Sequence, residues 1–306
     1  MQTTTNAKPS RFTLILAYAI VYIIWGSTYL GIKFTVETIP PFFSGGIRFL
    51  AAGLILFTFR KFQTGAKTTL KNWIYAFWAG LLPFTITYGL VTMAELIVPS
   101  SIAALIISVE PVWFCLIGWF FFGGARPTKF NVIALVLGFA GVAFLVLGDP
   151  NADISMESRY LFWVVMILIS NLCWVFGAFI SRNPKIHTDT FLSSGMQMFC
   201  GGAMMMLVQM VISSFTGEYP DPATFSMRSM GALVYLIIFG SIVAYSAFLW
   251  LMRVEPPNRV ATHTFVNPII AIFLGWLLGG ESIHMGMLIG TPLIIFSVIL
   301  MVWDPR

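Results

Sequence analysis

Apolar residues form long unbroken runs along this chain, and polar residues are confined to short connections and a few isolated interior positions. About 20 helical residues span the roughly 30 Å of hydrocarbon in a bilayer. Ten runs of that size are predicted, at approximately 12–33, 41–59, 72–93, 98–122, 130–148, 159–181, 190–215, 229–252, 257–279 and 285–303. The connections leave no room for a separate soluble domain. The run that follows Lys8 and Arg11 is too long for a signal-peptide core and reads as a permanent helix. Composition agrees: 58% of residues are apolar and 9% charged, with mean hydropathy +0.88, whereas soluble chains carry about 25% charged residues. Only a membrane protein fits.

Charge sets the expected orientation, because cytoplasmic connections hold the excess of Lys and Arg. With the N-terminus inside, the tails and inner connections hold Lys8, Arg11, Arg60, Lys61, Lys67, Lys71, Arg126, Lys129, Arg182, Lys185, Arg253, Arg259 and Arg306. The outer side holds Lys33, Arg159 and Arg228, and Arg48 falls inside a span. Both termini are therefore expected in the cytoplasm. The same asymmetry accounts for the pI near 9.2, and the scattered basic residues give no nucleic-acid-binding face. Cys115, Cys173 and Cys200 all lie in spans, so neither a disulfide nor a metal site is indicated.

The chain is written twice. "WGSTYLGIKF" from Trp25 lies over "WVFGAFISRN" from Trp174, and the same offset of 149 superposes Lys33 on Arg182, Phe42 on Phe191, Gly46 on Gly195 and Gly53 on Gly202. Beyond a longer loop the offset becomes 157, which superposes Tyr88 on Tyr245, Pro99 on Pro256, Pro111 on Pro268 and Gly118-Trp119 on Gly275-Trp276. The expected fold is all-α, with ten transmembrane helices in two five-helix repeats, residues 1–150 and 151–306, forming one transmembrane unit. An odd number of spans per copy inverts the second copy. Inverted repeats are the architecture of many secondary transporters, which place the substrate near the midplane between the halves.

"WGSTYLGIK", "PPFFSGGIRFLAAGLIL", "GSIVAYSAFLWL" and "NPIIAIFLGWLLGGE" resemble the EamA-type members of the drug/metabolite transporter superfamily, and the resemblance runs from Trp25 to about Val302. It implies a ten-helix, two-repeat carrier of the bacterial cytoplasmic membrane, commonly an exporter of amino acids, related metabolites or drugs. One motif departs from the pattern: the family's Gly-Glu at the ends of the fourth and ninth helices is present as Gly280-Glu281 but reads Gly123-Gly124 in the first copy.

Glu110 and Arg48 are the charges read as lying inside spans, and such residues face the protein interior and are paired or wet. Three roles are open to Glu110: a structural ion pair with Arg48, a ligand for an amino or quaternary ammonium group, or a proton-carrying carboxyl. Arg48 is assigned a structural ionic role. Pro111 and Pro268 should free the carbonyls of Ile107 and Thr264 and kink their helices at equivalent depth, as hinges would. Trp25 and Tyr29 belong to an aromatic face with Tyr18 and Tyr22. Together with Tyr88, Trp113, Trp174, Tyr245, His263 and Asn267 they are the candidate substrate-binding residues, an aromatic box suited to a small amphiphile or a cation. Tyr18, Trp73, Tyr160, Trp163 and Trp303 are assigned to the interfacial belt.

No phosphate-cradling loop, HExxH or nucleophile elbow is present, so neither a cofactor nor ATP chemistry is indicated. The expected partners are a small-molecule substrate and the lipid bilayer, and a homodimer is compatible with the sequence. The expected activity is secondary transport, with export implied by the family resemblance. The alternatives are a membrane-embedded enzyme acting on lipid, which would need clustered acids or His at one interface, and a channel, which would need a ring of like charges.

Overall fold

A computed structural model of the chain describes residues 10–124, 126–148, 157–181, 189–255, 260 and 262–302. Lys8, Arg182, Lys185, Pro256, Arg259, Trp303 and Arg306, with the repeat matches that involve them, lie outside those residues. Among the described residues every element is helical. Seven helices are long and apolar enough to cross a membrane, and three further apolar helices are shorter.

The chain starts and stops its helices with local chemistry. α1 (Arg11–Val36) begins where the Ser10 hydroxyl accepts from the Thr13 amide, and α2 (Pro41–Thr64) opens on a proline that has no amide to leave orphaned. The third apolar segment runs through α3 (Leu70–Gly80), a π-helical stretch Leu81–Thr87, and α4 (Tyr88–Ala94). α5 (Ser100–Ile107) and α6 (Glu110–Phe122) are separated by a turn at Ser108-Val109. α7 (Lys129–Leu147), like α3, starts with reciprocal capping, here between Thr128 and Asn131. The second half supplies α8 (Glu157–Ser181), α9 (Thr190–Thr216) and α10 (Met227–Tyr235). A second π-helical stretch, Leu236–Val243, leads into α11 (Ala244–Val254), followed by α12 (His263–Gly279) and α13 (Met285–Val302). α6 and α12 end alike on Gly123 and Gly280 at φ 67 and 66. Only glycine takes that left-handed conformation without strain.

Helix packing follows the repeated sequence. α2 lies on its counterpart α9, and α7 on its counterpart α13, as the two most extensive interhelical contacts. α1 packs on α12 and on the α10–α11 segment, while α8 makes the equivalent contacts with α5, α6 and the α3–α4 segment. The two π-helical stretches also fall at nearly equivalent positions, since Leu81–Thr87 displaced by 157 residues overlaps Leu236–Val243.

The prolines behave differently from one another. At Pro111 the helix breaks into α5 and α6, whereas Pro268 sits within the continuous α12, five residues from its start. The chain is therefore interrupted at Pro111, while Pro268 removes its amide from within a continuous helix. Tyr160 is corrected: it is 6% exposed and belongs to a hydrophobic core rather than to an interfacial belt.

Small residues let α2 and α9 approach closely, as spans must where apolar burial gives no gain against lipid. A Cβ on Gly53 would stand 2.4 Å from the Phe199 amide nitrogen and 2.8 Å from the Gly195 carbonyl oxygen. Both obstacles are backbone and cannot rotate away. Gly53→Leu is therefore expected to destabilise the protein by about 1–3 kcal/mol or more, seen as a lower melting temperature in detergent; an unchanged melting temperature would contradict this packing.

Candidate functional site

Pro111 has no amide to offer the Ile107 carbonyl, and the chain turns out of the helix at Ser108-Val109. Asn171 of α8, 2% exposed, answers that carbonyl: its Nδ2 donates to Ile107 O at 2.9 Å. Nearly one turn further along α8, Trp174 Nε1 donates to Glu110 Oε1 at 3.1 Å. Glu110 thus sits at the first residue of α6, half-buried, with an indole holding one oxygen. Tyr29 of α1, half-buried, lies within electrostatic reach of Glu110.

The other half builds a related arrangement on α1. Tyr22, the counterpart of Asn171, shares a hydrogen bond of 2.5 Å with Thr262. Trp25, the counterpart of Trp174, donates through Nε1 to Gly240 O at 3.3 Å, inside the π-helical stretch. The Trp25 ring meets Phe248 at 4.9 Å, His263 at 5.2 Å and Tyr245 at 6.5 Å. His263 is tied to Val260 O through Nδ1 at 2.9 Å. Asn267, with its amide oriented to donate, reaches His263 O at 3.1 Å and Tyr22 O at 3.2 Å. Its amide nitrogen thus serves two backbone carbonyls.

Arg48 is not paired with Glu110, one of the three roles open to that carboxylate. Its Nε donates to Ser241 Oγ at 2.8 Å, and its guanidinium stands 4.9 Å from the Tyr88 ring centre and 5.1 Å from that of Phe49. Its structural role is therefore carried by a hydroxyl and two ring faces. The rings continue from Tyr88 to Phe49 at 4.8 Å, Phe84 at 5.0 Å and Tyr245 at 6.2 Å, joining Arg48 to the Trp25 cluster. Trp113 departs from this seam: its ring packs edge-on against Phe139 of α7 at 5.7 Å.

Two further groups matter at the far end of the molecule, where α1 finishes and α5 begins. Glu281, just beyond α12, accepts from Lys33 Nζ at 2.9 Å, the Ser100 amide at 2.9 Å, Ser100 Oγ at 2.7 Å, the Ser101 amide at 3.1 Å and Ser101 Oγ at 2.5 Å. Glu95, capping α4, is 4% exposed, and neither of its carboxylate oxygens has a hydrogen-bond partner. Sequence reasoning missed Glu95 because a polar residue at the end of an apolar run looks solvated. The available signal was its setting in "MAELIVPSS", between apolar residues on both sides. Cavities of about 350 Å³ beside Trp119 and Arg126 and about 470 Å³ beside Arg11 and Tyr18 open towards the other end, and neither is lined by Glu110 or Trp174.

Comparison with known proteins adds a lineage to this geometry. The model of the EamA-like transporter family matches the chain twice, over residues 12–147 and 161–303. The Escherichia coli (strain K12) protein described as "Uncharacterized inner membrane transporter YedA" is 30% identical over 282 residues, covering 92% of this chain and 87% of the relative. Protein PecM of Dickeya dadantii is 26% identical over 287 residues, covering 92% of this chain and 89% of its own. A solved crystal structure shares the fold at a TM-score of 0.65 and 17% identity, covering 95% of this chain and 96% of the other.

Asn171→Ala removes the donor to Ile107 O and leaves a carbonyl unsatisfied away from water. It is expected to cost about 1–3 kcal/mol, read as a lower melting temperature, with Asn171→Asp no better because a carboxylate cannot donate. A melting temperature unaffected by Asn171→Ala would mean that the carbonyl is satisfied another way.

Proposed function

The chain belongs to the EamA-like transporter family, and from that premise we propose that it is a secondary transporter working by alternating access on a small metabolite: an amino acid, an amine or a drug-like amphiphile. Its spans would number ten, in two inverted five-helix repeats, with both termini in the cytoplasm. The twofold family match and the reciprocal packing of α1 on α12 and α8 on α5 and α6 support that arrangement. The excess of Lys and Arg on the connections sharing a side with the N-terminus supports the orientation. Export is the direction we propose, on the resemblance to exporters.

The observation that carries the proposal is Glu110. It is a half-buried carboxylate at a helix break, held by one indole N–H and close to Tyr29, in the middle of an apolar span. A carboxylate in such a place is costly unless it has work to do. Flanked by aromatic groups, it suits the ammonium of an amine or amino acid, whose apolar body would lie along the rings. Trp25 of the first half, with Tyr245 and Phe248 of the second, offers that apolar surface. Rocking of the halves would draw on the discontinuity at Pro111 more than on Pro268.

A thermal-shift screen of the purified protein against amino acids, amines, nucleosides and drugs tests the assignment. A ligand present at 100 times its Kd adds about 2.7 kcal/mol to the folded state. An amine or amino acid is expected to raise the melting temperature of the wild type and not that of Glu110→Gln. Trp25→Ala is expected to weaken the response while leaving the yield of folded protein unchanged. An equal response from wild type and Glu110→Gln would remove Glu110 from the binding site.

A further inference from the structure

At the far end of the molecule two carboxylates, Glu281 and Glu95, lie about the Lys33 ammonium with unequal partners. Glu281 is saturated: it takes the Lys33 ammonium and four donors from the first residues of α5, two of them backbone amides at a helix N-terminus. Glu95 is at least as buried and takes none, although the Lys33 backbone amide approaches it without hydrogen-bond geometry. The charged and titratable groups facing Glu95 are Lys33 and Tyr29 from α1, Arg48 from α2, Tyr88 from its own helix, and Glu281 from beyond α12. Arg48 is engaged by Ser241 and two rings, and Lys33 by Glu281. A bare carboxylate ion with no donor is not tolerated in such a place.

We propose that Glu95 is a proton-binding site, neutral while Glu281 bridges α12, α1 and α5, and that it exchanges this proton with the solution when the bridge opens. The ligand is a single proton. On opening, Glu281 gives up Ser100 and Ser101 to water and the Lys33 ammonium transfers to Glu95. The Glu95 O–H bond then breaks, its proton leaves to solution, and the carboxylate that remains is paired. On closing, Lys33 returns to Glu281 and Glu95 takes up a proton. The trio carries one carboxylate per ammonium when closed and two when open, where Glu281 stays ionised in water; the difference of one charge is the proton released.

The electrostatics agree with the geometry. Burial first, and then the Glu281 charge, push Glu95 well above the ordinary carboxylate range, against weaker opposition from Lys33 and Arg48. Burial alone would raise Glu281 too, but its hydrogen bonds from Lys33, Ser101 and Ser100 outweigh that and hold it below the ordinary range. Two neighbouring carboxyls separated in this way are the usual signature of a shared proton. The site is distinct from Glu110, which faces Trp174 and has no serine or lysine bonded to it among the described residues.

Infrared difference spectroscopy of the full chain in lipid nanodiscs, titrated with pH, tests the proposal without any transported substrate. It rests on the transporter assignment for its use but not for its measurement, so either can fail alone. The wild type is expected to show a protonated-carboxyl band near neutral pH that is reduced in Glu95→Gln and retained in Glu110→Gln. Glu281→Gln removes the like charge and frees Lys33, so the Glu95 band should titrate away about one to three pH units lower. A wild type without the band, a band undiminished in Glu95→Gln, or a band unmoved by Glu281→Gln would each overturn the proposal. Should Glu95→Gln fail to fold, Glu95→Asp carries the same test, and a band at the wild-type frequency and titration point would overturn it.

Discussion

Hydrocarbon offers a backbone carbonyl no water, so each place where a span departs from regular α-helix must find its donor inside the protein. This constraint accounts for the two donors that meet carbonyls of irregular backbone, Asn171 and Trp25. The break at Pro111 frees Ile107 O, and Asn171 of α8 supplies the donor. The π-helical stretch Leu81–Thr87 sends Thr85 to Gly201 O at 3.0 Å and Thr87 to Ser170 O at 2.9 Å. The second π-helical stretch presents Gly240 O to Trp25 and Ser241 Oγ to Arg48. Each bond joins the first half of the chain to the second. The irregular backbone and the association of the halves are thus one feature, and the polar groups that a transported molecule could use gather at the same seam.

The seam is also where packing is least uniform. Away from it, α2 against α9 and α7 against α13 approach on glycines, with backbone against backbone at Gly53 and Gly195 and at Gly141 and Gly290. Such contacts have little room to slide. Along the seam, rings of Trp25, Phe248, Tyr245, Phe84 and Phe49 meet at tilted and edge-on angles.

Much of this was legible in the sequence because a bilayer leaves few choices. Spans follow from apolar runs, and the pairing of Trp25 with Trp174 and of Gly53 with Gly202 follows from self-comparison. The freed carbonyl of Ile107 follows from proline chemistry alone. What the sequence hid was partner choice. Nothing in the residues says that Arg48 meets Ser241 and ring faces rather than Glu110, since those contacts depend on which helices are neighbours and on the widened turn at Leu236–Val243. Trp113 and Trp174 look equivalent as aromatic residues in spans, yet one packs on Phe139 and the other holds Glu110. Glu95 was invisible for a different reason: its burial is made by tertiary contacts over a helix end, where sequence alone predicts water.

The two halves are alike in scaffold and unlike in charge. At the position of Glu110 the second half has the neutral Asn267, whose amide nitrogen donates to two backbone carbonyls. At the position of Glu281 the first half has Gly124, with no side chain to reach a neighbouring helix. A perfectly repeated chain would carry the same lock at both ends and the same carboxylate in both halves, leaving its two closed states equal in energy. Here the far end is bridged through Glu281 to α1 and α5, and the equivalent place at the near end has a glycine. The two ends therefore join the halves differently: a buried carboxylate gathers serines and a lysine at one, and the Arg60–Asp189 ion pair ties α2 to α9 at the other.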